Sequence, residues 1–239
     1  MPARLEYGDP DRKPDHQRKP LLVNLSGGVD SVYAAWRLLE RGHRLLLHHC
    51  VMRNEEGRAE VEKAAVDQVL VWLRSNRKYR FDYIESGYDH GSLGRVMFDV
   101  EVIGFLTGVI LRDPARHRIN TVVVSSNAGD VSVTKPQTSR VVRRQEIAEM
   151  VAARKLRWWV PFAEVTKQQM AVALPDELRG MVWSCRKPRE GGACKVCRPC
   201  REIAEFEKGR QLQLAASQEG PSERRSTHRA SNRGVRASS

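Results

Sequence analysis

Short apolar runs separated by polar and glycine-containing turns recur along much of the chain. The run Thr-Val-Val-Val at residues 121–124 is the clearest of them, because consecutive β-branched residues are typical of a strand that is buried on both faces. The other runs have similar lengths and similar polar boundaries. Together they predict strands at residues 21–25, 43–51, 80–84, 120–125 and 158–162.

Between these runs, apolar side chains recur every three or four residues, which predicts amphipathic helices. Gly42 is placed to end the first helix, and Thr166 is placed to cap the last one. Gly104 and Gly108 occur in the third helix, where they can permit close packing against a neighbour. The predicted helices lie at residues 30–41, 59–76, 96–112 and 140–155 and from residue 167 onward, with a long loop at 127–138.

Strands and helices therefore alternate, with connections that are long enough for right-handed crossovers. This order predicts an α/β fold with a doubly wound, Rossmann-like, mainly parallel sheet that is covered by helices on both faces. Ligands of such sheets bind at the carboxyl ends of the strands, near the point where the strand order reverses. We expect a flexible arm over residues 1–20, an α/β domain over 21–180, a segment that ends in a helix over 181–210, and a disordered basic tail over 211–239.

The composition fits a soluble protein with one substantial core. The chain has 239 residues, of which 41% are hydrophobic, and no apolar stretch reaches the roughly 18 residues that a membrane span requires. Because the N-terminus is polar and contains proline, we expect a cytoplasmic location and no membrane partner. The net charge of +12 suits a phosphate-rich ligand. The basic tail could bind nucleic acid non-specifically or could serve solubility alone.

A turn of sequence Ser-Gly-Gly-Val-Asp-Ser joins the first predicted strand to the first predicted helix. Its glycines allow a tight bend, and its two serines place hydroxyl groups beside the free N–H groups of a helix N-terminus. This combination is typical of a phosphate-binding turn, although it matches neither the Walker nor the dinucleotide pattern. We call residues 25–31 the phosphate loop. Its candidate ligand-binding residues are Leu25, Ser26, Gly27, Gly28, Val29, Asp30 and Ser31.

Four of the five cysteines lie within residues 185–200. Cys185, Cys194, Cys197 and Cys200 have the spacing C-x8-C-x2-C-x2-C, and four thiolates can close a tetrahedral shell around Zn²⁺. A closed shell leaves no position for substrate, so we expect a structural zinc site. An iron–sulfur cluster is the alternative metal group. Cys50 occurs alone on a strand, where it is expected to be a small buried side chain.

Two of these motifs carry a family resemblance. The phosphate loop resembles the PP-loop of the ATP pyrophosphatase superfamily, whose members cleave ATP between its α and β phosphates and adenylate a substrate oxygen. The cysteine segment, with Trp183 and Phe206 at its ends, resembles the zinc segment of the 7-cyano-7-deazaguanine synthases of queuosine biosynthesis, which are themselves PP-loop enzymes. Residues 162–167 also resemble the segment that precedes that zinc segment, so the resemblance extends over residues 21–206.

The resemblance implies the substrates 7-carboxy-7-deazaguanine, ATP with Mg²⁺, and ammonia, and a homodimer. One ATP would activate the carboxylate for amide formation, and a second would activate the amide oxygen to give the nitrile. It also implies roles for site residues beyond the phosphate loop. Asp30 would orient Mg²⁺ or cap the helix, and Lys167 would reach a phosphate unless it is an exposed lysine at a helix start. Asn127 and Asp130 would lie beside the deazaguanine, the alternative being an Asx turn without a ligand. His48 and His49 would lie where the family's backbone meets adenine, the alternative being histidines whose ring nitrogens are satisfied at the strand end.

Three segments depart from the family pattern, and all of them fall around the inferred acceptor pocket: residues 49–54, 99–101 and 134–140. The activation chemistry is therefore better supported than the acceptor or the product, and the product is the nitrile or the amide. The chain resembles a divergent branch of the kind associated with phage DNA modification or defence. Two alternatives remain open. One is a PP-loop enzyme that modifies tRNA, and the other is a defence protein that attaches a deazaguanine to a protein partner or only binds ATP.

Overall fold

The computed structural model describes residues 5–8, 19–91, 99–135, 140–190 and 192–218. The strands in this part of the chain are Leu5–Tyr7 (β1), Leu21–Asn24 (β2), Arg44–Arg53 (β3), Arg80–Asp89 (β4), Thr121–Val123 (β5) and Arg157–Val160 (β6). The helices are Val29–Glu40 (α1), Ala59–Ser75 (α2), Asp99–Arg112 (α3), Val131–Thr134 (α4), Arg140–Ala152 (α5), Lys167–Ala173 (α6), Asp176–Met181 (α7) and Arg198–Gln218 (α8). A short 3₁₀ helix, Pro114–Arg116, follows α3.

The chain divides into two units, at residues 1–200 and 201–239. The first unit contains the whole sheet and helices α1 to α7. Of the second unit the structure describes residues 201–218, which are helical. In the described residues, no helix combines the length and the apolar character that crossing a membrane requires.

The six strands form one parallel sheet in the order β1-β6-β5-β2-β3-β4. From β2 the chain proceeds outward through β3 to β4 and then returns to place β5 on the other side of β2. The strand order therefore reverses between β2 and β5, and the loops that follow these two strands lie side by side. The predicted parallel α/β fold is confirmed, and the phosphate loop lies at the reversal.

Helices α3 and α5 cover one face of the sheet. Leu22, Val122 and Trp158 are neighbours across three strands, and each is fully buried. They form one hydrophobic core with residues from both helices: Ile110, Leu111, Ala148 and Ala152. Successive side chains of a strand point to opposite faces of the sheet, so the strand residues between these core residues face the other side.

Helices α3 and α5 approach each other closely because two glycines of α3 have no side chain. A Cβ atom at Gly108 would lie 2.6 Å from the Cβ of Val151 and 2.7 Å from the carbonyl oxygen of Ala148. A Cβ atom at Gly104 would lie 2.9 Å from the carbonyl oxygen of Arg144. The close packing predicted for this helix is confirmed.

Helices α1 and α2 contact the sheet as well, α1 against β2 and β3 and α2 against β3. Helix α6 packs on α1, and α7 packs on α2. The ring of Tyr33 in α1 makes an edge-on contact with Phe162, with 5.1 Å between the ring centroids. Because the strands alternate in side-chain direction and α3 and α5 cover one face, these helices cover the other.

The prediction of a flexible arm is wrong for Leu5–Tyr7. These residues extend the sheet beyond β6, where Glu6 forms an ion pair with Arg157. A short polar strand of this kind has no apolar run that would predict it, because backbone pairing and an ion pair to a residue distant in the sequence hold it at the sheet. Residues 9–18 of the arm lie outside the described residues.

Element boundaries elsewhere also differ from the sequence-based predictions. Strand β4 continues to Asp89, with half-buried and exposed residues in alternation, because it lies at the edge of the sheet in the described residues. The predicted loop at 127–138 contains the short helix α4. Helix α8 continues to Gln218, so residues 211–218 are helical rather than disordered, as expected for a run rich in leucine, alanine and glutamine. Predicted helical residues 96–98 and tail residues 219–239 lie outside the described part.

Candidate active site

A cavity of about 780 Å³ opens at the carboxyl ends of the strands, where the strand order reverses. Residues from the ends of β2, β3 and β5, from helices α1, α3, α5 and α6, and from the cysteine segment line it. Nine residues predicted for the site are among them: Leu25, Ser26, Gly28, Val29, Asp30, Ser31, His49, Asp130 and Lys167. The predicted residues Gly27 and Asn127 do not line it; both instead support residues that do.

Gly27 provides the bend of the phosphate loop. Its φ of +78° lies in the left-handed region that favours glycine. An added Cβ atom would also lie 3.4 Å from Ala65 and Val66 of α2. The positive φ of Gly27 would therefore strain a side chain at this position, which explains why the loop turns at a glycine.

The hydroxyl groups of Ser26 and Ser31 hold the phosphate loop closed. Ser31 donates to the carbonyl oxygen of Gly28 at 3.0 Å and accepts from the backbone N–H of Ser26 at 3.1 Å. The two hydroxyl oxygens are 3.0 Å apart. Gly28 is the N-cap of α1 and supplies no side-chain cap. The first N–H groups of this 12-residue helix therefore face the cavity without a capping side chain from the described residues.

Asn127 connects the two candidate carboxylates. Its side-chain amide donates to Asp30 at 2.9 Å, and its backbone N–H donates to the carboxylate of Asp130 at 3.1 Å. Its side-chain oxygen accepts from the backbone N–H of Gly129 at 2.9 Å, which makes this segment an Asx turn. Asn127 is buried, so it acts on the site by positioning Asp30 and ordering the turn that carries Asp130.

Asp30 is a half-buried carboxylate whose charge is sensitive to its neighbours. Burial raises the pKa of Asp30, whereas the hydrogen bond from Asn127 and the charge of Lys167 lower it and the charge of Asp130 raises it. Lys167 is the first residue of α6, which begins with a capping box between Thr166 and Gln169. The predicted cap at Thr166 is confirmed, and it places Lys167 where its charge acts on Asp30.

The two histidines of β3 differ in how their ring nitrogens are used. His48 has a partner on each side, with Nδ1 2.7 Å from Oδ1 of Asn24 and Nε2 2.7 Å from the hydroxyl of Ser86. Burial lowers the pKa of His48 to about 4. His49 donates from Nδ1 to the carbonyl oxygen of Leu25 at 2.9 Å, while its Nε2 is buried without a hydrogen-bond partner. His49 therefore offers an unused acceptor, and its predicted role beside adenine stays a prediction.

Arg58 forms the centre of a charged cluster that sequence reasoning missed. It contacts Glu56 and Glu62 at 2.6 Å each and also contacts Asp99. Burial opposes its charge, but these three carboxylates raise the pKa of Arg58 above its usual value. Arg186 lies 3.7 Å from Asp99. The cluster brings together the start of α2, the start of α3 and the cysteine segment in one wall of the cavity.

The four cysteines predicted to bind zinc come together. Their sulfur atoms all lie within 4.8 Å of one another, and a tetrahedral zinc ion would place them about 3.8 Å apart. The backbone N–H groups of Lys187 and Cys194 donate to the sulfur of Cys185 at 3.4 and 3.2 Å. The residues therefore fit a zinc ion with a complete protein shell, formed by Cys185, Cys194, Cys197 and Cys200.

The cysteine segment also contacts the phosphate loop. The backbone N–H of Trp183 donates to the carbonyl oxygen of Gly27 at 2.9 Å, and its indole N–H donates to the carbonyl oxygen of Cys185 at 2.9 Å. Trp183, Ser184 and Arg186 line the cavity. A metal ion in this segment would therefore fix one wall of the site as well as the segment itself.

Arg144 is a cavity-lining residue that sequence reasoning missed, although the sequence carried a signal for it. That signal is a charged residue on an otherwise apolar helix face. Arg144 lies between Val141 and Ala148 on the face of α5 that packs toward the sheet, and it lines the cavity. An arginine at such a position contradicts the amphipathic pattern. The Arg58 cluster offered no comparable signal, because Glu62 and Asp99 belong to helix starts, where acidic residues are common.

No protein-family model matches the chain, and no curated protein matches its sequence. Among solved structures, the NMN synthetase from Francisella tularensis is similar to the chain with a TM-score of 0.43 and 13% sequence identity. The similarity covers 80% of this chain and 77% of that one. At this level the likeness carries no argument about fold or function, which rest on the residues and geometry described above.

Proposed function

We propose that this protein is an AMP-forming ligase that binds ATP at the phosphate loop, transfers AMP to a carboxylate and passes the acyl group to ammonia. One observation carries the proposal. The hydroxyl network of Ser26 and Ser31 and the uncapped N-terminus of α1 face the same cavity as Asp30 and Lys167, at the reversal of strand order. The resemblance of the loop to the PP-loop supports cleavage between the α and β phosphates.

In the activation step, a carboxylate oxygen of the acceptor bonds to the α-phosphorus of ATP. The bond from that phosphorus to the bridging oxygen breaks, and pyrophosphate leaves with the negative charge. The N-terminus of α1 and the ammonium group of Lys167 supply positive potential for this charge. Ser26 and Ser31 keep the loop in its binding conformation, so the protein contributes mainly by positioning and by electrostatics.

In the second step, ammonia attacks the acyl carbon of the adenylate. A C–N bond forms, the bond from carbon to the AMP oxygen breaks, and AMP leaves while one proton is released, which yields the amide. Formation of a nitrile repeats the activation on the amide oxygen with a second ATP. Loss of AMP and the remaining N–H protons then leaves the C≡N bond, and the amide oxygen departs in AMP.

We propose 7-carboxy-7-deazaguanine as the acceptor, on the resemblance of residues 183–206 to the zinc segment of the deazaguanine synthases. Asp130 lines the cavity and offers a carboxylate that can accept from the N–H edge of a guanine-like ring. Its Asx turn with Asn127 holds it beside Asp30. The altered segments around the pocket leave amide and nitrile as the two products to be distinguished.

Two metal ions fit the residues. Zinc in the cysteine cluster would be structural, since four thiolates complete its shell. Mg²⁺ would be held by Asp30, because a carboxylate oxygen is a ligand that Mg²⁺ prefers and a nearby cation favours the ionised form that burial opposes. When bound, Mg²⁺ supplies charge neutralisation at the phosphates of ATP.

The state of Cys50 favours this ligase over a sulfur-transferring PP-loop enzyme. Cys50 lines the cavity, but burial raises its pKa to about 11, so it is a neutral thiol at physiological pH. The other cysteines belong to the metal cluster. Sulfur transfer requires a reactive thiolate, and the described residues place none at this cavity.

The test is mass spectrometry of the protein incubated with 7-carboxy-7-deazaguanine, ATP, Mg²⁺ and ammonium, with AMP measured in parallel. Nitrile or amide together with AMP supports the proposal and identifies the product. Ser31→Ala should lose most of the AMP, whereas the control Ser75→Ala, on the exposed end of α2, should not. Neither AMP nor a new base from the wild type would reject this acceptor and direct the search to tRNA or a protein partner.

A further inference from the structure

Arg144 is a cavity-lining cation on α5 that the proposed reaction steps do not use. Its guanidinium carbon lies 4.9 Å from the centroid of the Trp158 ring. Its backbone faces Gly104 at the close crossing of α3 and α5. The position of Arg144 is therefore fixed by the packing of two helices and by an aromatic ring beneath it.

The guanidinium of Arg144 has no counter-ion among the described residues. Its Nε and Nη2 atoms are inaccessible to solvent and make no hydrogen bond, and burial lowers the pKa of Arg144 to about 10. The neighbouring Arg143, by contrast, is exposed and contacts Glu101 at 2.7 Å. Arg58, across the cavity wall, has three carboxylate partners. A desolvated cation without a partner is costly, and a ligand anion would remove that cost.

The surroundings of Arg144 indicate that the anion it would bind is not a phosphate of ATP. Aliphatic side chains from α3 and α5, Val100, Ile103 and Val141, line the cavity on the face of the sheet that Arg144 occupies. The phosphate loop leads into α1, which packs on the opposite face. A planar fork of donors among apolar walls suits a carboxylate on a flat ring better than a hydrated polyphosphate.

We infer that Arg144 binds the carboxylate of the acceptor, an aromatic carboxylic acid, in a two-pronged ion pair and holds it for reaction with ATP. The link to ATP rests on the proposed function, whereas the carboxylate site rests on Arg144 and its surroundings. Arg144 is then the residue that selects an acid over the corresponding amide or unsubstituted ring.

The test compares Arg144→Met, Arg144→Lys and the control Arg143→Met, each as the full chain. Calorimetry would measure affinity for 7-carboxy-7-deazaguanine and for ATP with Mg²⁺. NMR titration would measure affinity for benzoate, a generic aryl carboxylate, and for its uncharged counterpart benzamide. We expect Arg144→Met to weaken the affinity for both carboxylates by about tenfold or more. Arg144→Lys should restore only part of this affinity, because lysine lacks the paired donors of a guanidinium. Benzamide and ATP affinities should change less than about twofold.

A stability measurement separates ligand binding from a structural role. Arg144→Met removes a cation whose Nε and Nη2 atoms are inaccessible and unpaired and retains an apolar stem, so the unfolding temperature of the ligand-free protein should stay the same or rise. A purely structural arginine would instead lose stability on this change. A lower unfolding temperature together with unchanged benzoate affinity would overturn the inference.

The outcomes for the two proposals are distinguishable. If wild type binds benzoate through Arg144 but neither binds 7-carboxy-7-deazaguanine nor forms AMP, the carboxylate site stands and the proposed acceptor fails. If Arg144→Met weakens the affinity for ATP by about tenfold and leaves the affinities for the carboxylates unchanged, Arg144 binds a nucleotide phosphate and the inference is wrong. Equal carboxylate affinity in wild type and Arg144→Met would also overturn it.

Discussion

The two ends of the cavity are built in different ways. The phosphate end consists of consecutive residues, 25–31, whose hydrogen bonds join near neighbours in the sequence. The other end, which we propose binds the acceptor and call the acceptor end, is assembled from distant parts of the chain. Arg58 and Asp99 are 41 positions apart and meet across two helices, and Arg144 depends on the crossing of α3 and α5.

Because of this difference, we expect the phosphate loop to govern the rate of activation and the helical wall to govern which acceptor binds. A contiguous loop at a strand-to-helix junction carries its own geometry, so a change there should affect the reaction without disturbing the fold. A wall made by packed helices changes when its packing changes, so a substitution far from the ligand can alter acceptor affinity alone. Substitutions at the two ends should therefore have distinguishable effects on turnover, acceptor affinity and stability.

The largest effect is expected at the phosphate end. Asp30→Ala should lower the rate of AMP formation by about a thousandfold, because it removes the carboxylate that would hold the metal ion at the phosphates. Chromatographic measurement of AMP would show it. Asp67→Ala, on the exposed side of α2 and paired with Lys63, is the matched control and should keep full activity. Unchanged turnover in Asp30→Ala would remove the assignment of this loop.

Loss of the metal should affect both ends together, because the cysteine segment contacts the phosphate loop through Trp183. Cys197→Ser should lose zinc and most activity, and it should unfold at a lower temperature than wild type. Elemental analysis and thermal unfolding measure these effects. Cys50→Ser should retain its zinc, since Cys50 lies outside the cluster. A Cys197→Ser protein that stays soluble, zinc-free and active would contradict the structural role.

A packing change in α3 should act on the acceptor end alone. Gly104→Ala would place a Cβ atom 2.9 Å from the carbonyl oxygen of Arg144, so α5 must shift at a cost of about 1–3 kcal/mol in the free energy of unfolding. We expect a higher KM for the acceptor and an unchanged KM for ATP. Gly180→Ala, which meets no atom within 4 Å, is the control. Equal changes in both KM values would contradict the separation of the two ends.

The smallest effects concern the protonation of Asp30. Burial raises the pKa of Asp30, and the hydrogen bond from Asn127 lowers it. Asn127→Ala should therefore raise the pKa of Asp30 further and move the acidic limb of the AMP-formation profile to higher pH. The loss of this bond should also cost about 1 kcal/mol of stability. An acidic limb at the same pH in wild type and variant would show that Asp30 does not control it.

The raised pKa of Asp30 should also affect stability, because the charged carboxylate destabilises the folded state. A carboxylate whose pKa is higher in the folded than in the unfolded chain destabilises the fold above the folded value and has no effect below the unfolded value. Asp30→Asn should therefore raise the free energy of unfolding at pH 7 relative to wild type, and the gain should shrink as the pH falls through the folded pKa. Denaturant unfolding across this range measures it. A gain that grows at low pH would contradict the burial argument.

The sequence predicted the parts of the fold that depend on local patterns. The apolar run before Ser26 and the helical spacing after Asp30 placed the phosphate loop correctly, and Thr166 caps its helix as expected. The cysteine spacing likewise predicted one cluster. These features hold because neighbouring residues are sufficient to define them.

The parts that escaped prediction depend on contacts between distant segments. Leu5–Tyr7 joins the sheet through backbone pairing, which leaves no side-chain pattern. The bond from Trp183 to Gly27 connects two segments that no periodicity relates. Arg58 looked like an ordinary charged residue before a helix, and only the fold brings Glu62 and Asp99 to it.

The most direct test of the central claim follows oxygen from the acceptor into AMP. The protein would be incubated with ATP, Mg²⁺, ammonium and 7-carboxy-7-deazaguanine whose carboxylate carries ¹⁸O, and the AMP would be analysed by mass spectrometry. If the carboxylate attacks the α-phosphorus, each AMP carries one ¹⁸O atom, and a second activation on the way to a nitrile delivers the other. AMP that contains only oxygen from ATP and water would contradict carboxylate adenylation at the phosphate loop.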